Sequence, residues 1–110
     1  MERTLLYDFY GELLTDHQKE IYEQFILEDL SLGEIARDAG ISRQGVHDLV
    51  KRCDRTLQEY EEKLHLVSRF LTVKEQIHKI REILDQEPAE DISVLKSEIR
   101  KISDEILEEL

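Results

Sequence analysis

The sequence predicts an all-α protein: an N-terminal helix-turn-helix bundle without a β wing, then a long helix and a C-terminal helical hairpin. Three observations predict it. Apolar residues recur at steps of three and four along nearly all of the 110 residues. Breakers are scarce, with one proline and four glycines in the whole chain. Between residues 32 and 51, a small residue, a glycine and five apolar residues stand where two helices crossing at a tight turn require them.

The elements follow in order. Leu5, Leu6, Phe9, Tyr10 and Leu13 fall at helical spacing and predict a first short helix. Thr15 predicts the start of a second, because its hydroxyl can accept from the unpaired N–H groups of a first turn. That helix presents Ile21, Tyr22, Phe25 and Ile26 to a core. Ser31 and Glu34 form a capping box for a third helix of about two turns. Gly40 stands where that helix must stop and the backbone must turn, and Ser42 caps the next.

The fourth helix meets no breaker before Pro88. Its apolar stripe runs Val46, Leu49, Val50, Cys53, Leu57, Tyr60, Leu64, Val67 and Leu71. A second, rotated stripe runs Leu66, Phe70, Val73, Ile77, Ile80 and Leu84. The phase shift near residues 65–73 marks either a bend or a change of packing partner. Unbroken, the helix would span about 65 Å. Gln86-Glu87-Pro88-Ala89-Glu90 reads as a polar connector. The last helix carries Ile92, Leu95, Ile99, Ile102, Ile106 and Leu110, a heptad seam. That seam folds back onto residues 66–84, pairs between chains, or does both. Residues 1–56 are expected to form the helix-turn-helix region, and residues 57–110 a helical extension packed with it as one domain.

Within the motif, Ala36 fills the small site where the helices cross and Gly40 the turn, while Ile35, Ala39, Ile41, Val46 and Leu49 fill the inward sites. The second helix then exposes Ser42, Arg43, Gln44, His47, Asp48, Lys51, Arg52 and Arg55. Arg43 and Gln44 lie in the first turn, where a recognition helix enters the major groove. Arginine pairs with guanine, and glutamine with adenine, through two hydrogen bonds. Ser42 and the first N–H groups suit a phosphate. Lys51, Arg52 and Arg55 reach phosphates further along. A second reading makes the same residues the solvated surface of a motif that does not touch DNA. Asp48 turns an acid to that surface, and Gly45 weakens the helix by about 1 kcal/mol relative to alanine.

Charge sharpens the question. The net charge is −11, whereas most duplex binders carry a positive patch that displaces counterions. Only residues 42–55 are locally positive, with Arg43, Lys51, Arg52 and Arg55 against Asp48 and Asp54. No apolar run approaches the roughly 20 residues of a membrane span. The N-terminus does not read as a signal peptide, and Cys53 has no partner for an internal disulfide, so a cytoplasmic protein without membrane insertion is expected.

Catalytic chemistry is not expected. His17, His47, His65 and His78 are too dispersed for a local metal site, and no glycine-rich phosphate loop occurs. Acid pairs such as Glu61-Glu62 and Glu108-Glu109 read as solvated helix faces, and Cys53 as a small core residue. The tyrosines Tyr7, Tyr10, Tyr22 and Tyr60 lie among apolar residues and read as packing groups, not as a base-stacking platform. No catalytic residue, metal or cofactor is assigned.

Leu14-Thr15-Asp16-His17-Gln18, Asp29-Leu30-Ser31-Leu32-Gly33-Glu34-Ile35-Ala36 and Ile41-Ser42-Arg43-Gln44 resemble the DNA-binding region 4 of bacterial sigma factors. With Asp48-Leu49-Val50-Lys51-Arg52 and Tyr60-Glu61-Glu62-Lys63-Leu64, they resemble more narrowly the YlxM family of small helix-turn-helix proteins of Gram-positive bacteria. The resemblance covers about residues 5–70. It implies a DNA-binding regulatory protein tied to the signal recognition particle pathway, because the family's genes lie beside those for the particle's GTPase and its receptor. The chain departs from the family pattern at Gly45, where alanine is usual, and at His47, where an aromatic residue is usual.

Two functions stay open at this point: a DNA-binding regulator using residues 42–55, and a protein-binding accessory factor of the particle with the motif as scaffold. The partners implied are DNA, components of the particle, and a second copy of the chain. The heptad seams leave more apolar surface than one copy covers, so a homodimer is expected through residues 57–84 and 92–110.

Overall fold

The structure is a computed structural model that describes residues 2–86 and 91–110. Among these residues there are six helices and no strand: α1 (Arg3–Tyr10), α2 (Asp16–Ile26), α3 (Leu32–Ala39), α4 (Arg43–Leu64), α5 (Leu66–Asp85) and α6 (Ile92–Glu109). A 3-10 turn at Gly11–Leu13 extends α1. The connector expected at 86–90 lies, from residue 87 on, outside the described residues. None of the helices is long and apolar enough to cross a membrane.

Local chemistry starts the helices where the sequence says it should. Thr15 Oγ1 accepts from the Gln18 N–H, and the Gln18 side chain accepts from the Thr15 N–H. Ser31 and Glu34 make the same reciprocal box at α3. Each box satisfies two donors that a helix start leaves unpaired.

The chain divides into two compact units, residues 1–67 and 68–110. In the first, α4 is the central element, with α1, α2 and α3 all packed on it. Its buried stripe, Val46, Val50, Cys53 and Leu57, meets Leu6 and Tyr10 of α1, Ile21 and Tyr22 of α2, and Ile35 and Ala36 of α3. Gly11 lets the chain turn close beside α1, since a Cβ there would fall 2.7 Å from the Tyr7 ring.

The helix expected to continue from Ser42 toward Pro88 is divided. α4 ends at Leu64, and His65 adopts a left-handed conformation with φ 57°. A new helix starts at Leu66. The phase shift in the apolar pattern is therefore a full break. In the second unit, α5 and α6 form the expected hairpin. They share a groove of about 360 Å³ with Ile83 and Ile102 among its lining residues.

Candidate nucleic-acid interface

The geometry of the motif begins at Gly40. Its φ of 71° lies in the left-handed region that side chains other than glycine enter at a cost. Both the Gly40 and the Ile41 N–H donate to the Ala36 carbonyl, at 3.0 and 3.2 Å, closing the end of α3. Ser42 then caps α4, its Oγ accepting from the Gly45 N–H at 2.9 Å. Ile35 and Ala36 on one side and Val46 and Val50 on the other are buried, and Leu49 packs against them. This crossing fixes which face of α4 points outward.

On that outward face Gln44, Asp48, Lys51 and Arg55 follow one another at steps of four, three and four. Arg43 and His47 flank the stripe on one side and Arg52 on the other. All seven are exposed, as is Ser42. Arg43, Lys51, Arg52 and Arg55 make no ion pair among the described residues. The structure thus brings the candidate residues together on the first half of one helix.

The two acids of this window behave differently. Asp54 is turned away from the face. Its Oδ1 accepts from the Tyr22 hydroxyl at 2.5 Å and its Oδ2 from Arg3 at 2.8 Å. Arg3 also lies 5.5 Å from the centre of the Phe25 ring. Burial, and then this hydrogen bond to a carboxylate, push the Tyr22 phenol well above its ordinary range. Asp48 stays on the face. It accepts from Gln44 Nε2 at 2.9 Å and lies 3.7 Å from His47 Nδ1. This contact occupies the Gln44 amide.

Two inward assignments need correction. Ala39 and Ile41 are exposed, Ile41 at 38%. A two-turn helix buries one stripe. Ala39, at its end, lines a surface pocket of about 270 Å³ with His17, Glu20, Ile21, Gln24 and Asp38. Ile41 lies in the turn, where its Cδ1 would be 3.8 Å from a Cβ at Gly45, so it covers the first turn of α4 instead of the core. Ala36, Val46 and Leu49 lie inward as expected.

Glu61 also overturns its expectation. It is 3% exposed, not solvated. Its Oε1 accepts from the Tyr10 hydroxyl at 2.5 Å and from the Val67 N–H at 2.9 Å. A signal for it was present: Val50, Cys53, Leu57 and Glu61 continue one helical stripe at steps of three, four and four. Arg3 and Asp54 carried no such signal, because their pairing joins residues 51 apart in sequence.

The family model described as "Putative helix-turn-helix protein, YlxM / p13 like" matches residues 1–102. The chain belongs to the UPF0122 family. A UPF0122 protein of Caldanaerobacter subterraneus is 54% identical over 81 residues, covering 74% of this chain and 69% of its own. One of Thermoanaerobacter pseudethanolicus is 48% identical over 107 residues, covering 96% and 91%. The UPF0122 protein YlxM of Bacillus subtilis is 41% identical over 98 residues, covering 88% and 89%. In this UPF0122 protein α3 and the first half of α4 meet at the Gly40 turn.

Proposed function

We propose that this UPF0122 protein is a cytoplasmic, DNA-binding regulatory protein that sets the exposed face of α4, from Ser42 to Arg55, in the major groove. The observation that carries this reading is the outward array of Arg43, Lys51, Arg52 and Arg55 without ion pairs among the described residues, while Asp54 is drawn off by Arg3 and Tyr22. Arg43 and Gln44 reach base edges from the first turn. Ser42 keeps its O–H free to donate to a phosphate, since its cap uses the oxygen only as an acceptor. Lys51, Arg52 and Arg55 contact phosphates. His47 lies between the two groups on the same face. A homodimer would present two such helices about one two-fold axis. The family resemblance supports a regulatory target connected with the signal recognition particle pathway.

Few cations face the duplex, so binding is weak and salt-sensitive. Even if Arg43 joined Lys51, Arg52 and Arg55 in neutralising one phosphate each, the slope of log affinity against log salt would be no steeper than about −4 per subunit, or about −7 for a dimer. Gel shifts across a salt series test this. Lys51→Ala or Arg52→Ala lowers affinity for all sequences alike, whereas Arg43→Ala or Gln44→Ala relaxes preference at one base by about 1–3 kcal/mol. No shift at low salt and micromolar protein would end the DNA reading.

The net charge of −11, together with the Asp48 contact that occupies Gln44, favours a second reading. There the chain is a protein-binding accessory factor of the signal recognition particle, and the motif is scaffold. A pull-down with and without nuclease separates the two. Particle components retained after nuclease support the accessory reading.

A further inference from the structure

One face of α2 carries His17, Glu20, Ile21 and Gln24 at steps of three, one and three. Beside it stand Asp38 and Ala39 in the last turn of α3, and the six residues line a surface pocket of about 270 Å³. The polar side chains of this pocket share a deficit. His17, Glu20 and Asp38 make no ion pair or side-chain hydrogen bond among the described residues. Lys19, the lysine of α2, is drawn instead to Glu12 at 2.9 Å. Gln24 Oε1 is buried and accepts no hydrogen bond among the described residues. A buried carbonyl oxygen without a donor costs free energy, so native structures seldom leave one. All of these groups are acceptors: two carboxylates, an amide oxygen and, in its unprotonated form, an imidazole nitrogen. The end of α3 adds to them. The Gly40 and Ile41 N–H groups both go to the Ala36 carbonyl, so the carbonyls after it form the negative end of the helix beside Asp38.

We propose that this pocket receives the guanidinium group of an arginine side chain from a partner protein. What the pocket lacks is donors and positive charge, and a guanidinium supplies five N–H donors and one charge in a planar fork. Carboxylates on two different helices and the Gln24 oxygen can each take a different edge of that fork, whereas an ammonium is a more strongly hydrated point charge. Ile21 and Ala39 give the alkyl stem an apolar wall. The terminal amide of a glutamine turns over a broad range, so the Gln24 oxygen can meet the bound group. Size excludes larger ligands: small-molecule pockets run from roughly 300 to 1,000 Å³, and this one, at about 270 Å³, falls below them. The net charge of −11 draws basic partners toward the chain. None of the six residues belongs to the face from Ser42 to Arg55, so the site stands whether or not that face binds DNA.

The test is a heteronuclear NMR titration of the full chain with N-acetyl-L-arginine amide, a blocked arginine that presents the side chain as a protein does. The backbone amides of His17 and Ala39 and the side-chain amide of Gln24 are expected to shift together and to saturate in the millimolar range, as suits a lone side chain with no other contact. The citrulline analogue, similar in shape but uncharged, is expected to bind at least about 10-fold more weakly. Glu20→Gln/Asp38→Asn changes two exposed residues and is expected to keep the fold and to weaken arginine binding by about the same factor. Shifts that do not saturate, equal binding of the citrulline analogue, or a double variant that binds like the wild type overturn the proposal. So does binding of free L-arginine without binding of the blocked form, which would make the occupant a free metabolite. If the double variant loses its helical circular dichroism, Glu20→Gln alone decides by the same titration.

Discussion

Glu61 brings a carboxylate into the core of the first unit, and the groups around it meet its demand for donors. The Tyr10 hydroxyl and the Val67 N–H both donate to its Oε1, and the Tyr10 oxygen in turn accepts from the Leu66 N–H at 3.0 Å. The start of α5 is thereby capped from α1 and α4. Tyr10→Phe removes a donor from a buried charge and is expected to cost about 1.5–3 kcal/mol in urea unfolding. A change within error would show that water reaches the carboxylate. The buried thiol and phenols give the fold an alkaline limit. Burial first, and the hydrogen bond to Glu61 next, raise the Tyr10 phenol. Burial, with the Asp54 charge adding to it, pushes the Cys53 thiol up from 9.0 to about 11. Groups with raised folded values stabilise fully below their unfolded values, and that contribution is lost as pH rises toward the folded ones. The thermal midpoint is therefore expected to hold up to about pH 9 and to fall toward pH 11. A midpoint that stays flat over that range would contradict it.

Among the elements, what could be read from the sequence was what short-range chemistry decides. The boxes at Thr15 and Ser31 lie within four residues, and so does the cap at Ser42. The Gly40 turn is equally local. Gly40→Ala keeps the sequence helical in propensity but places a Cβ at φ 71°, and is expected to cost about 1–2 kcal/mol by thermal unfolding. An unchanged midpoint would mean that the turn readily takes another form. The break at His65 was not legible in the same way. No glycine or proline marks it. It is held by Tyr10, 51 residues from Glu61 and 56 from Leu66 in sequence. The sequence showed a phase shift in apolar pattern there and nothing about its cause. Likewise the outward face of α4 was legible from periodicity, but the withdrawal of Asp54 by Arg3 and Tyr22 was not.

At the scale of the molecule, the two units differ in how far each covers its own apolar surface. The first has a cluster of twelve buried residues around α4. In the second, Ile102 alone among the described residues is buried, at 8% exposure. Burial of apolar area is the main favourable term in folding, so the hairpin has little to hold it without a partner. Hydrogen exchange makes the difference measurable. Amides of α2 and α4 are expected to be protected to the level of global unfolding, independently of protein concentration. In the proposed homodimer, amides of α6 are expected to exchange through the dissociated form. Once dimer dominates, the free fraction falls as the square root of concentration. A tenfold rise in protein should then slow α6 exchange about threefold while leaving α2 and the first half of α4 unchanged. Protection of α6 equal to that of α4, and insensitive to dilution, would show that the hairpin is stable alone. The exposed Ile77 and Leu84 would then have no energetic need of a second copy.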